Sequence, residues 1–343
     1  MATPPTASRE PDPLVNIVFF GSGPFALPAL ELLGQGPLGH KLVCVVSRPD
    51  RPQRRGRQVI PMPARAKALE LGLPCEAPET ANDSAFLGSL SKLSPDIFIV
   101  ADYGEMLRKP LRELPRIGIF NLHGSLLPRW RGAAPVVHSI LNGDRESGVT
   151  LFRIEKGLDS GPIIDAARAQ IGERETAGEL EARLARLAAD LLERNLVAFD
   201  EGTFRESSQD DSLATLAPKI EKSHGGIPWD KPALEVVNRI RAFNPWPGAF
   251  SFLDSERTIL LRATLAEGAE SSSGAPGVIV SVRKDGFRVR CGQGSIEVLQ
   301  LQREGKAPLD AAAYLRGKAL KPGDRFSSTF PPLSAPLPHS GAP

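Results

Sequence analysis

The sequence predicts an α/β protein: a Rossmann-like doubly wound parallel sheet followed by a C-terminal OB-like β-barrel domain. Three observations predict it. Largely apolar, β-branched runs at 14–20, 41–47, 97–100 and 117–122 read as strands buried on both faces, with helical spacings between them. The first run leads straight into Gly21-Ser22-Gly23-Pro24, a glycine turn whose proline suits the first turn of a helix. Past residue 246 the pattern changes to short β-rich spans at 258–263, 277–282, 287–291 and 296–301, separated by Gly, Ser and Asp turns.

In chain order, the opening strand, turn and helix to about Leu33 fit a G-x-G-x-x-[GA] dinucleotide fingerprint. The next strand ends in Ser47-Arg48, however, where a ribose-holding Asp or Glu is expected. The turn is therefore read as a tight strand-to-helix corner. A short helix follows over 64–71, and Asn82 is placed to cap another running to about Leu90. The strand at 97–100 is followed by Ala101-Asp102-Tyr103-Gly104-Glu105-Met106-Leu107, and the strand at 117–122, which carries Asn121, by His123 and a Gly/Ser/Pro loop. A helix at 136–141, a strand at 148–154, the loop Gly157-Leu158-Asp159-Ser160-Gly161-Pro162 and an edge strand at 163–169 come next. Thr176 and Glu179 form a capping box for a long helix reaching Asp200. Polar, acidic 206–212 reads as a surface crossing, 232–243 as an amphipathic helix, and Phe243-Asn244-Pro245-Trp246-Pro247 as a rigid corner with its Trp in the core.

With 343 residues the chain has room for two sizeable cores, and 41% hydrophobic with 24% charged residues describes an ordinary soluble protein. Net charge of +2 excludes a general polyanion binder, so any nucleic-acid contact must come from local patches. Two such patches are present. Between residues 48 and 67, Arg48, Arg51, Arg54, Arg55, Arg57, Arg65 and Lys67 face Asp50 alone, and from Gly274 onward ten Lys/Arg face five Asp/Glu. Pro49, Pro52 and Pro61 keep the first patch extended, as an arm that meets phosphate would be. Cys44, Cys75 and Cys291 lack C-x-x-C spacing, so neither a zinc site nor a disulfide framework is expected, and no metal is. No apolar stretch approaches the ~20 residues of a membrane span, and the first thirteen residues carry no apolar h-region. A cytoplasmic monomer is the expectation.

Asn121 and His123 stand two apart on a strand and so share a face. Side by side they offer a hydrogen-bond donor to a developing oxyanion and a base that titrates near neutral pH. An Asn-x-His pair alone is common in proteins without chemistry, and its company is what distinguishes this one. The run from Asn121 to Pro135 resembles, nearly letter for letter, the N-x-H-x-S-L-L-P-x-W-R-G-A-A-P signature of the methionyl-tRNA formyltransferases. Other segments resemble the same family: 49–57 its P-D-R-P-x-G-R-G insertion loop, 100–107 its V-A-Y-G-x-I-L turn, 157–161 its G-L-D-[TS]-G loop, and 243–247 its F-N-P-W-P corner. Arg54 replaces a family Gly, and Asp102 a family Ala.

The resemblance implies a formyl donor, 10-formyltetrahydrofolate, lined by Ser125, Leu126, Leu127, Pro128, Glu105, Met106 and Leu107, with Asn121, His123 and Asp159 as catalytic residues. Asn121 is the expected oxyanion donor, His123 the proton acceptor or second donor, and Asp159 the carboxylate that orients His123. It implies an initiator methionyl-tRNA acceptor, met by Arg51, Arg54, Arg55 and Arg57. The expected organisation is then an N-terminal tail at 1–13, a catalytic domain at 14–202, a linker at 203–228, a tRNA-binding barrel at 229–328 and a Pro-rich tail at 329–343. A sugar-nucleotide amine formyltransferase or a formyl-folate hydrolase could share the three catalytic residues; the basic arm and the barrel argue against both. A binding protein that has lost catalysis is a third alternative.

Overall fold

The structure, a computed structural model, describes residues 15–52, 59–267 and 274–327; the tails expected at 1–13 and 329–343 lie outside the described residues. The chain forms two compact units, one of Met1–Pro128, Val149–Ala167 and Leu184–Leu213, the other of Arg129–Gly148, Arg168–Arg183 and Ala214–Pro343.

Up to residue 201 the elements are β1 (Asn16–Gly21), α1 (Leu27–Gly34), β2 (Lys41–Val46), β3 (Arg51–Pro52), β4 (Val59–Ile60), α2 (Pro63–Glu70), β5 (Cys75–Glu76), α3 (Ser84–Ser91), β6 (Ile97–Ala101), α4 (Lys109–Arg112), β7 (Gly118–His123), α5 (Pro135–Leu141), β8 (Glu146–Arg153), β9 (Ile163–Gln170) and α6 (Ala177–Glu201). Seven strands form one sheet in the order β5-β2-β1-β6-β7-β8-β9. It is parallel from β5 to β7, and β8 runs antiparallel to β7. Ile17, Val18, Phe19 and Phe20 of β1 are all buried, as are all five residues of β6, so continuous apolar runs meet the need to bury both faces.

Strand order reverses between β1 and β6, because β2 lies on one side of β1 and β6 on the other. In open parallel sheets this is where a crevice opens at the strands' carboxyl ends. Register aligns those ends: Gly21 is opposite Ala101, and Val100 is opposite Asn121. The loops after β1, β6 and β7 therefore emerge together.

The glycine turn after β1 is tightly built. A Cβ on Gly21 would lie 2.6 Å from the Phe19 ring and 2.8 Å from the Ala26 Cβ. Ser22 and Gly23 donate backbone hydrogen bonds to the Asp102 carbonyl at 3.0 and 3.3 Å. Asn82 does not cap α3, contrary to the sequence reading. The N-cap is Asp83, whose carboxylate accepts from the Phe86 N–H at 3.0 Å, while Asn82 donates to the Met106 carbonyl and accepts from the Arg108 N–H. An Asn and an Asp in adjacent positions both suit a cap, and only the tertiary partner decides between them. The Thr176–Glu179 capping box does form, with the Thr176 N–H donating to the Glu179 carboxylate at 2.9 Å.

After α6 come α7 (Ala233–Ala242), β10 (Ala249–Leu253), β11 (Glu256–Leu265), β12 (Ile279–Val282), β13 (Phe287–Arg290), β14 (Ser295–Arg303), β15 (Leu309–Asp310), α8 (Ala311–Gly317) and β16 (Phe326–Ser327). The strands form an antiparallel sheet, β12-β13-β14-β11-β10-β16, with β15 added to β14. A bridge between Val278 and Arg325 joins its two ends, and the Ile279 N–H donates to the Asp324 carbonyl at 2.7 Å. That bridge draws the ends of the curled sheet together into a half-barrel and covers part of its edges. Phe250, Leu260, Phe287, Val289, Ile296, Val298 and Phe326 supply buried side chains. Trp246 is not among them. It is 49% exposed, against the sequence expectation of a core residue, and Phe243 fills that corner instead. Prolines on both sides constrain the corner's backbone, and Asn244 ties it to the Leu261 carbonyl at 2.8 Å.

Candidate active site

The site is built where β7 ends. His123 is 6% exposed, and its ring meets that of Phe152 edge-on, with centroids 6.3 Å apart. Its Nδ1 lies 3.8 Å from the Asp159 carboxylate, close enough for charge to matter and too long for a hydrogen bond. Such pairs tighten when a ligand completes the site. Asn121 lies two residues back on the same face and is partly exposed. Its amide makes no hydrogen bond to another described residue, which leaves a donor open to a ligand.

Asp159 sits at a positive φ of 47° in a loop that glycine makes possible. A Cβ on Gly161 would run into the Arg153 carbonyl at the end of β8, so only glycine lets the loop lie against that strand. Gln209 then fastens it, its amide donating to the carbonyls of Asp159 at 2.8 Å and Gly161 at 2.7 Å. Sequence reasoning did not single out Gln209, because it lies in a polar run that reads as a surface crossing.

The loop after His123 is pinned from beneath. The Ser125 N–H donates to the His123 carbonyl at 2.9 Å. The hydroxyl of Thr150, opposite His123 on β8, donates to the Ser125 carbonyl at 2.7 Å and accepts from the Leu127 N–H at 3.1 Å. Thr150 is fully buried, and sequence reasoning missed it too. Thr150→Val keeps its shape but strands two backbone groups, at a cost of about 1–3 kcal/mol. The expected outcome is a lower thermal midpoint, which Thr150→Ser should restore; an unchanged midpoint would show that the loop is held by other contacts.

Of the residues assigned to the donor pocket, Ser125 and Leu127 are buried, while Leu126 and Pro128 are half-buried. Across the aligned strand ends, Leu107 is buried in the core and Met106 is 74% exposed. Glu105 is half-buried and heavily bonded. Its carboxylate accepts from the Arg48 guanidinium at 2.5 Å, the Asn82 amide at 2.9 Å, the Ala81 N–H at 3.2 Å and the Thr80 hydroxyl. Burial resists its ionisation, but the bonds from Thr80, Ala81 and Asn82 and the Arg48 charge outweigh burial and hold the carboxyl below the usual range.

The glycine turn is a poor phosphate cradle. A Cβ on Gly23 would fall on the Asp102 carboxylate, so the space a pyrophosphate would need already holds a negative group.

Among the described cations of the first patch, Arg48, Arg65 and Lys67 are engaged. Arg48 pairs with Glu105, Arg65 with Asp50 at 2.9 Å, and Lys67 with Glu31 at 3.0 Å and Glu70 at 3.1 Å. Arg51 and Pro52 pair with Ile60 and Val59 as a two-stranded hairpin, and Arg54, Arg55 and Arg57 lie outside the described residues. In the second patch Arg288, Arg303 and Lys318 pair with Glu297, Glu256 and Asp254. Among the described residues Arg283, Lys284, Lys306, Arg316, Lys321 and Arg325 are exposed and carry no such pair.

Comparison with known proteins identifies the family. The family model described as formyl transferase matches residues 15–196, and the formyl transferase C-terminal domain matches residues 219–319. A methionyl-tRNA formyltransferase of Citrifermentans bemidjiense is 40% identical over 90% of this chain and 95% of its own length. One from Pseudomonas fluorescens is 41% identical over 92% of this chain and 94% of its own. Among solved structures, the sugar 3N-formyl transferase WlaRD superposes with a TM-score of 0.62 at 19% identity, covering 86% of this chain and all but 1% of its own, since 99% is matched. An N-formyltransferase from Helicobacter canadensis, in complex with folinic acid and dTDP-3-aminofucose, gives 0.61 at 20% identity over 84% of this chain and 100% of its own. The structural likenesses establish the fold, and the sequence relatives decide the family: this chain belongs to the methionyl-tRNA formyltransferases.

Proposed function

We propose that this protein transfers the formyl group of 10-formyltetrahydrofolate to the α-amino group of methionyl initiator tRNA, acting as a cytoplasmic monomer without a metal ion. The observation that carries the chemistry is the pairing of an open Asn121 amide with His123 and Asp159 at the aligned strand ends. In the reaction the amine nitrogen attacks the formyl carbon, an oxyanion forms on the formyl oxygen, the bond to the folate nitrogen breaks, and the amine's proton ends on that nitrogen. An α-amino group has a reference pKa of about 7.7–8, and an aminoacyl ester should lie lower, so much of the nucleophile is already neutral. Base strength is then secondary to positioning and oxyanion stabilisation. Asn121 donates to the oxyanion, His123 receives and passes on the proton, and Asp159 holds the imidazole in orientation.

The donor would lie against the loop of Ser125, Leu126, Leu127 and Pro128, with the backbone of Glu105, Met106 and Leu107 as its other wall. The acceptor is read by charge and shape. Arg51, Arg54, Arg55 and Arg57 meet phosphates of the acceptor arm, and the exposed cations of the barrel add a second, sequence-independent surface. Purified protein given 10-formyltetrahydrofolate together with methionyl-tRNA and a 4-amino sugar nucleotide should formylate the RNA and leave the sugar untouched. Formylation of the sugar alone would sink the assignment.

A further inference from the structure

The basic hairpin and the loop after β6 share one anchor. Arg48 stands three residues before β3, and its side chain, 22% exposed, is matched by the Glu105 carboxylate at 2.5 Å. The same guanidinium donates to the Glu79 carbonyl at 3.1 Å, and the Arg48 N–H donates to the Ser22 hydroxyl at 3.1 Å, which in turn donates to the Tyr103 carbonyl at 3.3 Å. Tyr103 is 2% exposed, and its hydroxyl lies within reach of the Arg48 guanidinium. Burial, with the Glu105 charge adding to it, pushes that hydroxyl up to about 12, so it stays a neutral donor. Two residues after Arg48, the Asp50 carboxylate accepts from the Met62 N–H at 3.0 Å and from Arg65 at 2.9 Å, closing the other side of the hairpin's base.

Arg48 is thus poorly placed to be one more phosphate ligand. Its charge is already neutralised at short range, and its Nη1 donors are engaged inside the protein. Glu105, itself on the loop after β6, gathers donors from two other segments: the stretch after β2 and the stretch before α3. That loop emerges beside Asn121, through the register of Val100 with Asn121. We propose that Arg48 and Glu105 are positioning residues that fix the base of the β3–β4 hairpin against the 102–107 loop, so that the RNA-binding arm is held in register with the formyl-transfer site. This rests on the function proposed above and assigns acceptor positioning to two residues outside the catalytic three.

The sign of one substitution separates positioning from simple electrostatics. Glu105→Gln removes a negative charge from a surface that meets a polyanion, so electrostatics alone predicts a lower KM for methionyl-tRNA. The positioning role predicts the opposite. Steady-state formylation with 10-formyltetrahydrofolate and initiator methionyl-tRNA should show KM for the RNA raised about fivefold in Glu105→Gln and in Arg48→Gln, the salt slope unchanged, and the double variant no worse than either single one. Arg48→Lys should recover part of the loss, because a point charge replaces part of the guanidinium's contact. A thermal scan of each variant verifies folding, and the KM comparison is made at a temperature where all are native. A wild-type enzyme that formylates the RNA while Glu105→Gln lowers or leaves unchanged its KM overturns the positioning role. Failure of the wild type to formylate the RNA at all overturns the function instead.

Discussion

Asn121→Ala is expected to lower kcat for formyl transfer by about two to three orders of magnitude, with KM for both substrates nearly unchanged. The reason lies in when the amide acts. A donor aimed at an oxyanion is engaged fully only once the formyl carbon has become tetrahedral, so its loss is felt in the transition state and little in the bound ground state. The Asn121 amide has the required freedom, being partly exposed and bonded to no other described residue. Asn121→Asp is the sharper variant. It keeps the shape but replaces a donor with a negative charge, and it should be at least as damaging as alanine. Rapid-quench measurement of the single-turnover rate, with both substrates saturating, checks the effect without interference from product release. A loss confined to KM would place Asn121 in binding rather than chemistry.

The second large effect belongs to His123. His123→Ala should lower kcat by about 10²-fold, the lower part of the range for positioned acid–base groups, because the amine is already largely unprotonated. His123 cannot be replaced by solvent easily, since it is 6% exposed beneath the loop that Thr150 pins. Asp159 acts through it, so Asp159→Asn combined with His123→Ala should cost little more than His123→Ala alone, as expected of residues that work as a unit. A strictly additive double variant would mean that Asp159 has its own contact with the reacting groups.

The sequence made some of this legible and hid the rest for physical reasons. Period-two geometry on a buried strand placed Asn121 and His123 on one face, and the capping box announced α6 through Thr176 and Glu179. Asp159 was legible only through the loop's resemblance to a family, because an Asp in a glycine-rich turn satisfies its own backbone as often as it does chemistry. Thr150 and Gln209 gave no signal. A Thr in a strand is ordinary, and a Gln in a polar run reads as surface, so their roles appear only when the fold sets them against Ser125 and Gly161. Asn82 was read as a local cap and Glu105 as a wall of the donor site, yet their hydrogen bonds tie distant segments together. Trp246 failed in the other direction: hydrophobicity argued for the core, and the constrained corner leaves the ring half in solvent. The seven cations of the first patch looked alike in sequence, and among the described residues Arg48, Arg65 and Lys67 prove to be tied to acidic partners.

The central claim is a division of labour, in which the end of β7 performs the transfer and the arm at 51–57 brings the RNA. Parallel steady-state kinetics on His123→Ala and Arg55→Ala, across a range of salt, test it most directly. The account predicts that His123→Ala lowers kcat and keeps the wild-type salt slope, whereas Arg55→Ala raises KM for methionyl-tRNA, flattens the salt slope by about one ion and spares kcat. Equal losses of kcat in the two variants would contradict it.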